Sequence, residues 1–141
     1  MDNVGGTFRL VDAACVTLDT SRLDELDAMG ERAAALVDRA IDNFVSGLSA
    51  TLLELQAAVE RDDAEAVTAT AHRLRGSALN LGADRVAEVT LELELLGDSA
   101  NLAGCHKHLI HLSRAGDEAV EALRRYQSLR RRTVAPERRS G

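Results

Sequence analysis

The chain has 141 residues, of which 45% are apolar and 28% charged, so it is long enough for one domain and too hydrophobic for wholesale disorder. Aromatics make up 2% (Phe8, Phe44 and Tyr126) and Pro136 is the single proline, which removes the usual material of a β-sandwich or barrel and leaves helix-forming stock. The net charge of -6 is uneven: residues 124–141 hold seven arginines against Glu137, while residues 1–123 carry 10 bases and 22 acids, an acidic body ill suited to a nucleic-acid groove.

Cys15 and Cys105 are too few for a disulfide framework and have no metal-ligand spacing. No apolar run approaches the ~20 residues that span a bilayer, and the start MDNVGGTFRL is unlike a signal peptide. A soluble, cytoplasmic protein with reduced thiols is expected.

Residues 1–17 show no sustained period and read as an N-terminal arm, with Phe8, Leu10 and Val16 available to lie on the body. A short helix follows, capped by Asp19 or Thr20, with Leu23, Leu26 and Met29 inward and Gly30 just past its end. From about Glu31 to Arg61, Val37, Ile41, Phe44, Val45, Leu48, Leu52, Leu55 and Val59 recur at intervals of three and four, the stripe of a long packed helix. Gly47 marks a weak point within it. Asp62-Asp63 offers the N-cap of a third helix that buries Val67, Ala71, Leu74, Ala78 and Leu81 and stops at Gly82.

Asp84 is the expected cap of a fourth helix, with Val86, Val89, Leu93 and Leu96 inward and Gly97 at its end. A fifth helix is expected from about Leu102 to Leu129, with Leu109, Leu112, Val120 and Leu123 apolar. Residues 130–141 are left as a basic, disordered tail. Four long helices joined by short loops predict an all-α fold: an antiparallel up-down-up-down four-helix bundle over residues 18–129, with the short helix capping one end.

The third helix carries the one concentrated chemical signal, His72-Arg73-Leu74-Arg75-Gly76-Ser77-Ala78-Leu79-Asn80-Leu81-Gly82-Ala83. At 100° per residue, His72, Arg75, Gly76 and Leu79 share one face beside the buried stripe. Glycine inside a helix costs ~1 kcal/mol relative to alanine. That cost makes sense if something must come close to the imidazole. A guanidinium one turn away adds fixed positive charge, and the set suits an exposed nucleophile that takes up a phosphoryl group.

The run His-x-Leu-Arg-Gly-Ser-Ala-x-x-Leu-Gly-Ala resembles the signature of histidine-containing phosphotransfer (HPt) domains, in which lysine is usual at the position of Arg75. Leu18-Asp19, Phe44-Val45, the Asp62 turn and the Leu-Glu-rich fourth helix also fall where that family has them, over roughly residues 18–127. The resemblance implies a bundle whose histidine accepts a phosphoryl group from the aspartyl phosphate of a receiver domain and passes it to another. His72 is then the phospho-acceptor, Arg75 neutralises the phosphate, Gly76 admits the partner, and Glu94 hydrogen-bonds the ring. Glu65, Thr68, Arg73 and Leu79 would complete the docking surface. Leu79 is larger than the family's usual small residue, and Arg75 is bulkier than lysine.

The implied partners are response-regulator receiver domains and hybrid histidine kinases, with no nucleic acid and no membrane insertion, and the protein is expected to be a monomer. No cofactor is expected on this chain, because Mg²⁺ would sit on the receiver. No acidic metal cluster or Gly-rich nucleotide loop is recognisable, so the chain reads as a carrier without ATP-dependent kinase activity. If Glu94 accepts a hydrogen bond from Nδ1–H, Nε2 is the nucleophile.

Blander readings stand beside these. Arg75 could be a solvated helix arginine and Glu94 an exposed residue that supports its own helix. Ser77 and Asn80 suit local packing and the helix end. His106, His108 and His111 read as surface histidines, since the residues around them lack ligand spacing. A non-phosphorylated adaptor or scaffold that binds receivers or other helical partners is the alternative from a different class. A third, more distant one is anionic contact through the arginine-rich tail.

Overall fold

The computed structural model describes the backbone of residues 9–11 and 17–139 and the side chains of residues 18–131. The body is all-α. Two short strands precede it, β1 (Arg9–Val11) and β2 (Thr17–Asp19), then come α1 (Ser21–Asp27), α2 (Glu31–Glu60), α3 (Ala64–Leu81), α4 (Asp84–Asp98) and α5 (Cys105–Arg139). A 3₁₀ turn, Leu102–Gly104, leads into α5. The strands pair antiparallel, with Leu10 opposite Leu18. The expected arm is therefore a small hairpin in part; Phe8 and Val16 lie outside the described residues.

The α2 stripe behaves as its spacing requires. Val37, Ile41, Phe44, Leu48, Leu55 and Val59 are buried, Val45 and Leu52 pack at the margin, and the helix runs unbroken through Gly47. Asp63 is the N-cap of α3, its carboxylate accepting a bond from Ala66 N at 3.1 Å. Gly82 ends α3 at φ +76°, a left-handed conformation that glycine adopts without steric cost. Its carbonyl accepts Asp19 N at 3.0 Å, which ties β2 to the α3–α4 turn. Helix α2 packs on α3 and α5, and α4 packs on the same two helices, around a core that includes Leu18, Ile41, Leu55, Val67, Leu93, Leu112 and Leu123.

Four expectations need correction. In α1 only Leu23 is buried; Leu26 faces solvent, and so does Met29, which lies beyond the end of the helix at Asp27 and so cannot continue its inward stripe. The cap of α4 is Ala83 and Asp84 is its first residue, so Asp84 adds negative charge to the first turn instead of capping it. Gly97 lies inside α4, buried, not beyond it.

The fifth helix does not stop at Leu129. It continues to Arg139, and its basic end has local counter-charges. Arg130 donates to both oxygens of Asp27 at 2.6 and 2.8 Å and to Asp38 at 2.7 Å, and Arg124 bonds Asp42 at 2.7 Å. The acids of α1 and α2 thus hold the beginning of the stretch read as a disordered tail. Among the described helices none is long and apolar enough to cross a membrane.

Candidate functional site

His72 stands in the third turn of α3, beside the buried residues Ala71 and Leu74 and pointing outward. Its side chain is 68% exposed. A Cβ built on Gly76, one turn further on, meets nothing within 4 Å, so the approach to the ring along that face is open. Leu79 continues the face and is half exposed.

Glu94 projects from α4 and is the most shielded of the three side chains here, with 18% of its side chain exposed. Both of its oxygens are used. Oε2 lies 2.8 Å from His72 Nδ1, and Oε1 accepts Arg75 Nη1 at 2.9 Å. An ionised carboxylate can only accept, so Nδ1 is the donor of the 2.8 Å bond and Nε2 is the ring nitrogen not bonded to Glu94. His72 and Arg75 on α3, three residues apart, and Glu94 on α4, about twenty residues further on, therefore form one chain of charge-assisted bonds across the α3–α4 seam.

Helix α4 comes near enough for this because of Gly97. A Cβ there would overlap Thr68 Oγ1 and sit 3.0 Å from Thr68 N and 3.1 Å from Ala64 O. The backbones of α3 and α4 touch at that level, three residues from Glu94.

The expected docking residues do not all gather at the histidine. Glu65 is exposed on α3, while Thr68 is half-buried, its hydroxyl bonded back to Ala64 O at 3.1 Å. Arg73 turns the other way, toward α2, where it pairs with Glu54 at 3.1 Å. Two exposed leucines that the sequence reading passed over, Leu91 and Leu95, lie on α4 outside its buried stripe. Their spacing of four, off the Val86-Val89-Leu93 rhythm, was the available signal.

The distal histidines are less alike than expected. His108 is half-buried, with Nδ1 3.0 Å from Gly104 O and Nε2 3.0 Å from Glu92, and its ring meets His111 edge-on at 6.0 Å. Burial corrects the reading of His108 as a surface residue: it ties the start of α5 to α4. Cys105, directly after the 3₁₀ turn, is buried, which pushes its thiol pKa up and keeps it protonated and unreactive.

Comparison with known proteins bears on the same region. The family model described as the Hpt domain matches residues 39–126. No curated protein gives a significant sequence match. Among solved structures, the chain is similar to the crystal structure of histidine-containing phosphotransfer protein B (HptB) from Pseudomonas aeruginosa PAO1. The TM-score is 0.70 at 25% identity, covering 79% of this chain and 94% of that one.

Proposed function

Since the chain belongs to the Hpt domain family, a family of phosphotransfer carriers in two-component phosphorelays, we propose that His72 is its phospho-acceptor. The phosphoryl group comes from the aspartyl phosphate of a receiver domain and passes on to the aspartate of another. The Nε2 lone pair forms the N–P bond while the aspartyl oxygen leaves with the electron pair of the breaking O–P bond. The imidazole ring becomes positive, and the carboxylate of Glu94 faces the Nδ1–H where that charge develops. The transition state is loose and in-line, so positioning and charge neutralisation do most of the catalysis.

The observation that carries this reading is an exposed imidazole beside an open glycine, its Nδ1 held 2.8 Å from Glu94 so that Nε2 faces outward. The four long helices, each packed on two others, support an antiparallel up-down-up-down bundle as the scaffold. We read the protein as a cytoplasmic monomer that works between hybrid histidine kinases and response regulators, with Mg²⁺ carried by the receiver.

The test mixes purified protein with a panel of phosphorylated receiver domains and follows acid-labile, base-stable label on the chain. Rapid labelling of the wild type and none of His72→Gln is the expected result. A complete panel that binds without transferring label would make the protein an adaptor instead.

A further inference from the structure

We propose, resting on the phospho-acceptor reading, that the cleft between α2 and α3 beside Gly47 receives one apolar side chain of the docked receiver domain. The cleft holds about 100 Å³, far less than the ~300–1,000 Å³ of a cofactor site. Phe44, Leu48 and Leu74 of the core line it, so its floor is apolar. Its two hydroxyls turn back onto their own helices, Thr51 Oγ1 donating to Gly47 O at 3.1 Å and Ser77 Oγ to Arg73 O at 3.5 Å. A guest without polar atoms therefore suits it.

Gly47 keeps this cleft open. It lies in the middle of α2, where glycine weakens a helix, and a Cβ built on it meets nothing within 4 Å. Packing does not ask for glycine there. Gly76 on α3 has the same open surroundings. At 100° per residue, Gly76 lies about 40° round α3 from His72, and Arg73 and Ser77 lie about 100° and 140° round in the same direction. Arg75, bonded to Glu94 of α4, lies about 60° the other way. A strip short of side chains thus leads from His72 past Gly76 to Ser77 and the cleft.

Charge favours the same side. The receiver presents an aspartyl phosphate, an anion, and Arg73 stands at the edge of the cleft. Arg73 and its partner Glu54 are both more than half exposed, so the pair is weak and the guanidinium is easily released toward an arriving anion. On α4 the exposed charges beyond Arg85 are acids, Glu88, Glu92 and Asp98, which oppose one.

The test compares the wild type with Gly47→Met, each a full chain first checked for helicity. A long side chain at position 47 lies back over residues 43 and 44 and fills the cleft. Two quantities are read across a panel of receivers: the Kd of the unphosphorylated receiver by calorimetry, and labelling of the chain by the phosphorylated one. Phosphoramidate, a small donor that needs no docking, is the control. Gly47→Met should raise Kd and KM by roughly tenfold or more, the scale of one aliphatic side chain lost from an interface. Its kcat and its labelling by phosphoramidate should stay near the wild type. Unchanged Kd and KM overturn the pocket, and weakened docking in Leu91→Ala with Leu95→Ala would then move the contact to α4. Equal slowing with phosphoramidate also overturns it, because position 47 then acts through the histidine or the fold. A Gly47→Met that abolishes only self-association makes a second copy the occupant instead. If the wild type binds receivers but takes no label from either donor, the phospho-acceptor reading falls, and the Kd comparison still decides the pocket. A complete panel that leaves the wild type unbound overturns the pocket, whatever phosphoramidate shows.

Discussion

Access to the imidazole is set by one missing side chain. Gly76 is exposed within α3, and nothing in the described structure presses on the place where its Cβ would be. Packing therefore does not require glycine there, and it carries a helix penalty of ~1 kcal/mol relative to alanine. Gly76→Ala should raise the unfolding free energy by about 0.5–1 kcal/mol in urea titration. Gly76→Gln should fold as well as the wild type but slow phosphoryl transfer by roughly tenfold or more, since its side chain lies over the ring at i+4. A glutamine variant that transfers at the wild-type rate would show that no partner uses the gap. His72, Arg75 and Gly76 were legible as a group because all three lie on one helix, where spacing alone gives the shared face. The role of Glu94 was not legible from spacing, because that says nothing about which helix lies alongside; the family resemblance supplied it.

Between elements, the decisive feature is how closely α3 and α4 approach. Gly97 lets the two backbones meet at Thr68 and Ala64, and Gly82 turns the chain from one helix into the next while bonding Asp19 of β2. A methyl group at position 97 has no flexible neighbour that can yield fully, since two of the three nearest atoms are backbone. Gly97→Ala should destabilise the protein by about 1–3 kcal/mol. It should also part α4 from α3, so that the Nδ1–H signal of His72 loses its hydrogen-bonded shift in NMR spectra. Unchanged stability and an unchanged His72 signal would mean that the seam has slack. In the sequence Gly97 looked like a helix stop, which is the usual reading of a glycine before Asp-Ser. Its burial against a second helix outweighed the stop signal, so the helix runs one residue past it to Asp98.

At the scale of the whole molecule, the far end is closed by α5. Tyr126 is buried and donates to Asp24 Oδ1 at 3.0 Å; Arg130 lies 5.5 Å from its ring centroid and grips Asp27 and Asp38. Gln127, also buried, bonds Asp38 and Asp42. Burial first, then the bond to Asp24 and the charges of Asp24 and Asp27, push the phenol of Tyr126 far above its ordinary pKa, with Arg130 opposing. The unfolded chain ionises its tyrosine near pH ~10, while the folded chain keeps the proton. The raised pKa thus contributes stability that is complete below pH ~10 and is lost as pH rises above it. Because Tyr126 is the single tyrosine, the ultraviolet absorbance of tyrosinate reports this group alone. It should appear only together with loss of helical circular dichroism, above pH ~10, and Tyr126→Phe should flatten the alkaline decline in stability. Absorbance that develops near pH ~10 with the helices intact would refute the account.

What the sequence determined by itself is local. The α2 stripe, the Asp63 cap, the Gly82 stop and the face of α3 that carries His72 all follow from spacing and backbone chemistry over a few residues. Tertiary structure alone decided which charges meet. It brought both Arg75 and His72 onto Glu94, sent Arg73 to Glu54, and drew Arg130 from a seemingly free tail onto Asp27 and Asp38. It also left Leu26 and Met29 in solvent although their spacing suits a buried stripe. Periodicity tells which side of a helix is apolar. It does not fix the rotation, height and neighbour of that helix, and a bond of less than 3 Å between side chains depends on all three.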